Sequence, residues 1–371
     1  MSLPAVITGE DTVIFGSGPH ALVFAATMVT CSPGEPPPIV LEQRSQMGGM
    51  FVPLLNFRMN SARGASLRSV RSPGPTRVPS LSPSDDLNWL FNAPYQVNGE
   101  SGMVEYPYSQ DFWKVVAKGL TAVARCYTDA HATFRSDRRV LTGDGRDLLG
   151  RAKRIVFAGG LVEPPSLPKG PAIMSGYQFM KTPVRDLDNK KIAVVGAGAT
   201  GSQIIEWMFG GGIGAPSTPP SCVHWYGGDK MPTSKIGWMT KEHARFAGVG
   251  RHLPTDGDLG DAILRPYPQL GDVVSLGDTA MVNGQIYNLV ILATGFVPAP
   301  CDVPMSSTYR VGGMRVAKFY DDGSGDDSVF KIGTAANLGD TYKPYGTRFP
   351  AAVNALYNTL PRTAALAASL S

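Results

Sequence analysis

The apolar residues of this chain come in short runs, and two of the runs end in the same punctuation. "TVIF" at Thr12 leads into Gly16-x-Gly18-x-x-Ala21 and then the apolar stretch "LVFAA"; "KIAVV" at Lys191 leads into Gly196-x-Gly198-x-x-Gly201 and then "SQII". A continuous apolar run of this length, bounded by turn residues, predicts a strand buried on both faces. The glycine turn that follows predicts the start of a helix, over about residues 21–29 in the first case and 201–209 in the second. After the first helix, "CSPGEPPP" is a loop and "IVLEQ" a second strand. From Gly48 to Asp86 the periodicity vanishes, and "RSPGPTRVPSLSPSDD" predicts an extended surface loop.

Periodicity returns in "YSQDFWKVVAKGLTAVARC", whose apolar spacing is helical. The stretch "ATFRSDRRVLTGDGRDLLGRAKRIVFAGG" predicts a β-meander turning at Gly143-Asp144-Gly145 and ending in the strand "RIVFAG"; "LVEPPSLPKGP" is a linker. A second unit opens near Asp188. Its helix is followed by the Gly/Pro-rich Gly210–Ser221, then the strand "CVHWY", a hairpin at Asn283-Gly284 and the buried strand "NLVILATGF". "SVFKIGTAAN" and "FPAAVNALYNTL", a strand, a glycine and an amphipathic helix, are too short for a third domain. They are expected to return and complete the first one.

Composition narrows the picture. The 371 residues are 43% hydrophobic and 17% charged, with 43 Gly and 31 Pro: a globular chain rich in tight turns, long enough for two cores. The net charge is +4 and no Lys/Arg block reaches five, so nucleic acid is not expected as a partner. Cys31, Cys126, Cys222 and Cys301 lie far apart, without CxxC or metal-ligand spacing, and the five histidines are scattered. No apolar stretch is long enough to cross a membrane, and "MSLPAVITGEDTVIF" lacks the basic and apolar regions of a secretory leader, so the expected location is the cytoplasm.

The two glycine turns carry the chemistry. In the first, Gly16 makes the tight turn, Gly18 lets main chain approach a pyrophosphate, Ala21 permits close helix packing, and the helix starting at Pro19 points free N–H groups at the phosphates. Glu42, 26 residues after Gly16, ends the next strand where a carboxylate can accept ribose hydroxyls. Arg44, Gly48, Gly49 and Phe51 follow within reach of the same nucleotide. The second turn has all three glycines, with Thr200 between the last two. Its second strand ends in "VHWYGGDKMPTSK" without an acid, so Lys230 or Lys235 could meet a 2′-phosphate and NADPH is preferred to NADH. Trp225 and Tyr226 are open to two roles, stacking on adenine or filling the core. A bound flavin and a visiting nicotinamide explain why one chain has two such sites. The flavin supplies the redox chemistry, and the protein holds the two rings at hydride-transfer distance.

The pieces "GSGPHA", "LEQRSQMGGMF", "GAGATG", "ILATGFVP" and "VFKIGTAA", spread over nearly the whole chain, resemble the flavoproteins with two dinucleotide-binding domains. Within them they resemble the class B flavin monooxygenases: flavin-containing monooxygenases, Baeyer–Villiger enzymes and N-hydroxylases. The resemblance implies an α/β fold of two Rossmann-like domains, the second inserted into the first: FAD on residues 1–187 and 286–371, NAD(P)H on 188–285. It implies a small organic substrate oxygenated with O2 through a C4a-(hydro)peroxyflavin. In "NFRMNSAR" it makes Asn60 the flavin-side amide, with Ser61 beside it; Asn60 and Arg58 are the candidate donors at the ring. Gly333 falls where the family has Gly-Asp, and Thr334 stands in place of the acid. In "MSGYQFM" Gly176 matches the family's F-x-G-x-x-x-H, with Met180 at the histidine position.

Two alternatives stay open: a flavin oxidase or dehydrogenase whose second site has lost nicotinamide, and a binding protein with FAD as a structural element. The substrate pocket is expected from the loops Phe51–Asn92 and Gly339–Phe349, including Tyr342, Lys343, Tyr345 and Arg348. Substrate identity and any homo-oligomer are not legible in the sequence.

Overall fold

A computed structural model describes residues 3–4, 6–50, 106–184, 186–196, 199–208, 216–227, 262–266, 268–301, 307–311, 314–319, 328–333, 363–364 and 366–371. The first sheet runs, edge to edge, Ser307–Val311, Met314–Phe319, Val329–Lys331, Arg154–Phe157, Thr12–Phe15, Ile39–Leu41 and Arg125–Tyr127. The last five strands are parallel to one another, and the first two form an antiparallel flap at one edge. Thr12–Phe15 and Ile39–Leu41 are buried at every position, as strands covered on both faces must be. Parallel neighbours need a crossover, which the helix Pro19–Cys31 supplies between them. A second helix, Tyr106–Val123, packs beside it and feeds the edge strand. The first helix starts two residues earlier than its apolar pattern suggests because Pro19 is tolerated in the first turn.

The expected meander is present as Ala132–Phe134, Arg139–Thr142 and Leu148–Arg151, antiparallel throughout. The chain then enters the central parallel strand Arg154–Phe157. The strand "VFK", far along the sequence, pairs parallel with that strand, while the expected helix in "FPAAVNALYNTL" lies outside the described residues. The final residues stay with the first unit: Arg154 Nη2 donates to Leu370 O, and Ser371 Oγ donates to Met28 Sδ at 3.5 Å.

The second sheet is wholly parallel, in the order Ala262–Pro266, Cys222–Gly227, Lys191–Val195, Leu289–Leu292, Ile173–Ser175. Alternate residues of its central strand serve two cores. Ile192 and Val194 pack with Phe179, Ile204, Trp207 and Met208 under the helix Ala199–Met208. Ala193 and Val195 pack against a three-stranded antiparallel layer, Val273–Ser275, Ala280–Val282 and Gln285–Tyr287. Asn283, with φ 48°, turns the hairpin as its sequence requires.

Two strands of this sheet, Ile173–Ser175 and Leu289–Leu292, lie outside the 188–285 span expected for the second unit. The central strand Lys191–Val195 thus reaches these neighbours from both sides of its own place in the sequence. Between the units the chain crosses twice, after Phe157 and after Leu292. The two crossings pair with each other as the short antiparallel ladder Leu161–Val162 and Val297–Pro298. No helix among the described residues is long and apolar enough to cross a membrane.

Candidate dinucleotide sites

Both glycine turns are built by the same backbone device. The N–H of Gly16 donates to Leu41 O and that of Ala158 to Phe15 O, each at 2.8 Å. In the second unit the N–H of Gly196 donates to Tyr226 O at 2.8 Å and that of Ala293 to Val195 O at 2.7 Å. Each turn is thereby clamped between the strands on either side of it. Gly16 has φ +99° and Gly196 φ +120°, conformations that L side chains rarely adopt. A Cβ on Gly16 would lie 2.6 Å from Ala158 O, and one on Gly196 would strike Ala293 O. "FAGG" after the first sheet's central strand is thus the structural counterpart of "LATG" in the second.

In the first site Gly18 is the N-cap of the helix, with no side chain capping it and no acid in the first turn. The first-turn amides therefore have no side-chain cap and favour an anion. Among the described residues a Cβ at Gly18 would meet nothing within 4 Å, while a Cβ on Gly49 would be 3.3 Å from Gly18 Cα. Glu42 is buried, and both of its carboxylate oxygens accept hydrogen bonds. Ser17 Oγ donates to Oε2 at 2.6 Å, the Arg44 N–H donates to Oε1 at 2.9 Å, and Arg44 Nη1 approaches Oε1 at 3.4 Å. The Gly48 N–H donates to Ser17 Oγ at 3.1 Å, so one serine joins the turn, the acid and the Gly48-Gly49 segment. Gly333 lies against the His20 ring, where a Cβ would come within 3.1 Å. Burial pulls the His20 pKa down to about 4, so the imidazole is neutral beside the helix start.

In the second site Gly201 packs directly beneath the Gly196 carbonyl, leaving no room for a side chain. Trp225 Nε1 donates to that carbonyl at 2.8 Å. Trp225 is fully buried, and Tyr226 is buried with its hydroxyl 2.6 Å from that of Tyr287. Stacking on adenine is thus overturned for both: successive residues of a doubly covered strand point into the two cores. Gly176 begins the short helix Gly176–Lys181 and touches Thr200, with a Cβ there only 3.0 Å from Thr200 Cγ2 and 3.1 Å from Ala293 Cα. Thr294 Oγ1, beside the second turn, is buried without a hydrogen-bond partner among the described residues.

The structure brings together Gly16, Gly18, Pro19, Ala21, Glu42, Arg44, Gly48, Gly49 and Gly333 in the first unit, and Gly196, Thr200, Gly201 and Gly176 in the second. Phe51, Arg58, Asn60, Ser61, Gly198 and Lys230 lie outside the described residues, as do Thr334 and 339–349. Ser17, His20 and Tyr177 were not singled out in the sequence. Ser17 occupies a variable position of the fingerprint, and its partner is 25 residues away, so no local spacing marks it.

The first cradle fits FAD: an open glycine turn, unclaimed helix amides for a diphosphate, and a carboxylate at the ribose position. In the second, Gly196 is held by the same clamp, and the buried Thr294 hydroxyl, unpartnered among the described residues, is open to a ligand oxygen.

No known protein-family profile matches the chain, and no curated protein matches it. Solved structures do. One is the ornithine N-hydroxylase of Kutzneria sp. 744 with reduced FAD, NADP+ and L-ornithine, at TM-score 0.56 and 14% identity, covering 97% of this chain and 99% of that one. The bacillithiol disulfide reductase of Bacillus cereus matches with the same coverage and identity at TM-score 0.54. The FAD-bound cadaverine monooxygenase of desferrioxamine biosynthesis from Erwinia amylovora matches at 0.53 with 12% identity, covering 88% of each chain. At such identities the shared property is the fold, two α/β units each built on a parallel sheet.

Proposed function

We propose that the protein is an FAD-dependent monooxygenase reduced by NADPH, acting with O2 on a small organic substrate. Its first unit would carry FAD and its second NADPH, with Ile173–Ser175 and Leu289–Leu292 assigned to the second. The observation that carries this reading is the duplicated clamp on Gly16 and Gly196, which prepares two phosphate-binding turns in one chain. FAD held there would supply the redox chemistry between nicotinamide and oxygen, and the chain would bind and orient it.

The residues of the chain bind and orient. The uncapped helix start at Gly18 and Pro19 meets the diphosphate, and Glu42 accepts the ribose hydroxyls while Ser17 and Arg44 hold its two oxygens in place. Asn60 and Arg58 are proposed as the donors at the ring. A lysine beyond the second strand, Lys230, is proposed to favour NADPH.

A disulfide reductase is the competing reading, since two bacillithiol disulfide reductases share the fold. The cysteines speak against a dithiol centre. None of the four forms a disulfide among the described residues, and Cys31, Cys126 and Cys222 lie on three separate elements. Burial pushes the Cys126 thiol up to about 11, which withholds the thiolate that exchange requires. The decisive experiment is an absorbance spectrum of FAD-reconstituted protein, followed by anaerobic NADPH titration and re-oxidation by air with candidate amines, ketones and sulfides. Bleaching by NADPH and substrate-dependent product formation are expected. A colourless protein, or one reduced by NADPH that turns over only with disulfides, would overturn the proposal.

A further inference from the structure

Gly176 and Tyr177 are consecutive residues that serve different cradles. Gly176 is wedged against Thr200 and Ala293, at the start of the second fingerprint helix and the second crossing. The Tyr177 side chain leaves in the other direction, and its hydroxyl donates to Met50 O at 2.8 Å. Met50 directly follows Gly48-Gly49, the segment that backs onto Ser17 and Gly18. The Tyr177 N–H donates to Glu163 Oε1 at 3.1 Å, in the linker between the units, and its ring meets Phe296 edge-on at 6.3 Å. Arg44, which holds Glu42, also acts on the Tyr177 phenol. Ser175 caps the short helix through Gln178, so the element carrying both residues is well anchored.

We infer that Tyr177 is a positioning residue that couples the two nucleotide sites, so that a nucleotide at either one changes the affinity of the other. This coupling presupposes FAD in the first cradle and NADPH in the second, as proposed above. A nucleotide seated at Thr200 presses on Gly176, where a Cβ would already lie 3.0 Å from Thr200 Cγ2 and 3.1 Å from Ala293 Cα. Close-packed groups pass on such displacements rather than absorb them. One peptide unit further on, Tyr177 is fastened to Met50 and hence to the main chain behind Gly18. Burial raises the phenol's pKa above its ordinary 10, so the hydroxyl stays a donor at working pH. Linkage makes the effect reciprocal.

The test is FAD release from the full-length holoprotein, followed by recovery of flavin fluorescence with and without saturating NADP+. In the wild type NADP+ is expected to change the FAD dissociation constant by about tenfold, within the usual range of such couplings. In Tyr177→Phe the ratio should fall towards one, with FAD binding in the absence of NADP+ little altered. A wild-type ratio in the variant, or no coupling in the wild type, overturns the inference. If wild-type protein binds neither nucleotide, the assignment of the cradles fails, and the coupling with it; binding of both without coupling refutes the coupling alone. Should the variant not fold, hydrogen exchange on the wild type decides: NADP+ must alter exchange at Gly48–Met50, and unchanged exchange there counts against the role.

Discussion

Ser17 Oγ donates to Glu42 Oε2 at 2.6 Å, bridging the first glycine turn and the end of the neighbouring strand. A buried carboxylate is costly unless donors surround it. Here the donors come from both sides, Ser17 from the turn and Arg44 from the chain beyond the strand. The acid is therefore held in one orientation before any nucleotide arrives.

Ser17→Ala removes one of these donors and should lower stability by about 1.5–3 kcal/mol, the usual range for hydrogen bonds to charged groups. FAD affinity should fall roughly tenfold, because the carboxylate is no longer held for the ribose. Fluorescence titration with FAD and thermal unfolding check the two effects. An unchanged FAD affinity would remove Ser17 from the site.

The two turns can be broken separately. Gly16→Ala and Gly196→Ala each place a Cβ against a carbonyl at positive φ, a strain of roughly 1–3 kcal/mol before the clash is counted. Gly16→Ala should purify without bound flavin. Gly196→Ala should keep its flavin but lose bleaching by NADPH, as anaerobic titration would show. Loss of both properties in both variants would mean that the turns do not act as separate sites.

Trp225 supports the second turn from below through its bond to Gly196 O. Trp225→Phe should destabilise the protein by about 1–3 kcal/mol, since it leaves a buried acceptor unpaired. Denaturant unfolding measures this. A ring that merely stacked on adenine would leave stability intact.

His20 sets an acid limit. Its pKa is about 4 in the fold and 6.5 unperturbed, because burial disfavours the charged ring. Between these values the unfolded chain binds the proton and the folded one does not, so stability falls as pH drops from about 6.5 to about 4, by up to roughly 3 kcal/mol. Glu35, held low chiefly by its bond from Lys153, adds a further loss at lower pH as it is protonated. His20→Asn should flatten the pH dependence of the unfolding midpoint between 4 and 6.5.

If no thiol takes part in the chemistry, replacing Cys31, Cys126, Cys222 and Cys301 together by alanine should leave NADPH-driven flavin reduction within about threefold of the wild type. Stopped-flow reduction rates provide the check. A loss of turnover with intact flavin reduction would favour a thiol-dependent reaction.

Local order was legible in the residues themselves. "TVIFGSG" and "IAVVGAG" specify strand, turn and helix within a few positions, because steric limits at glycine and the burial of continuous apolar runs act over short range. The meander turn at Gly143–Gly145 and the hairpin at Asn283-Gly284 could be read for the same reason.

Contacts between distant residues could not. The span of the second sheet, the choice of core over cofactor for Trp225 and Tyr226, the Ser17–Glu42 bond and the 127-residue link from Tyr177 to Met50 arise only when parallel strands assemble. Spacing along a chain tells which face a side chain occupies relative to its neighbours. It does not tell what the folded chain places opposite that face. That depends on which strands come to lie side by side, and here it set the Tyr177 hydroxyl against Met50 O.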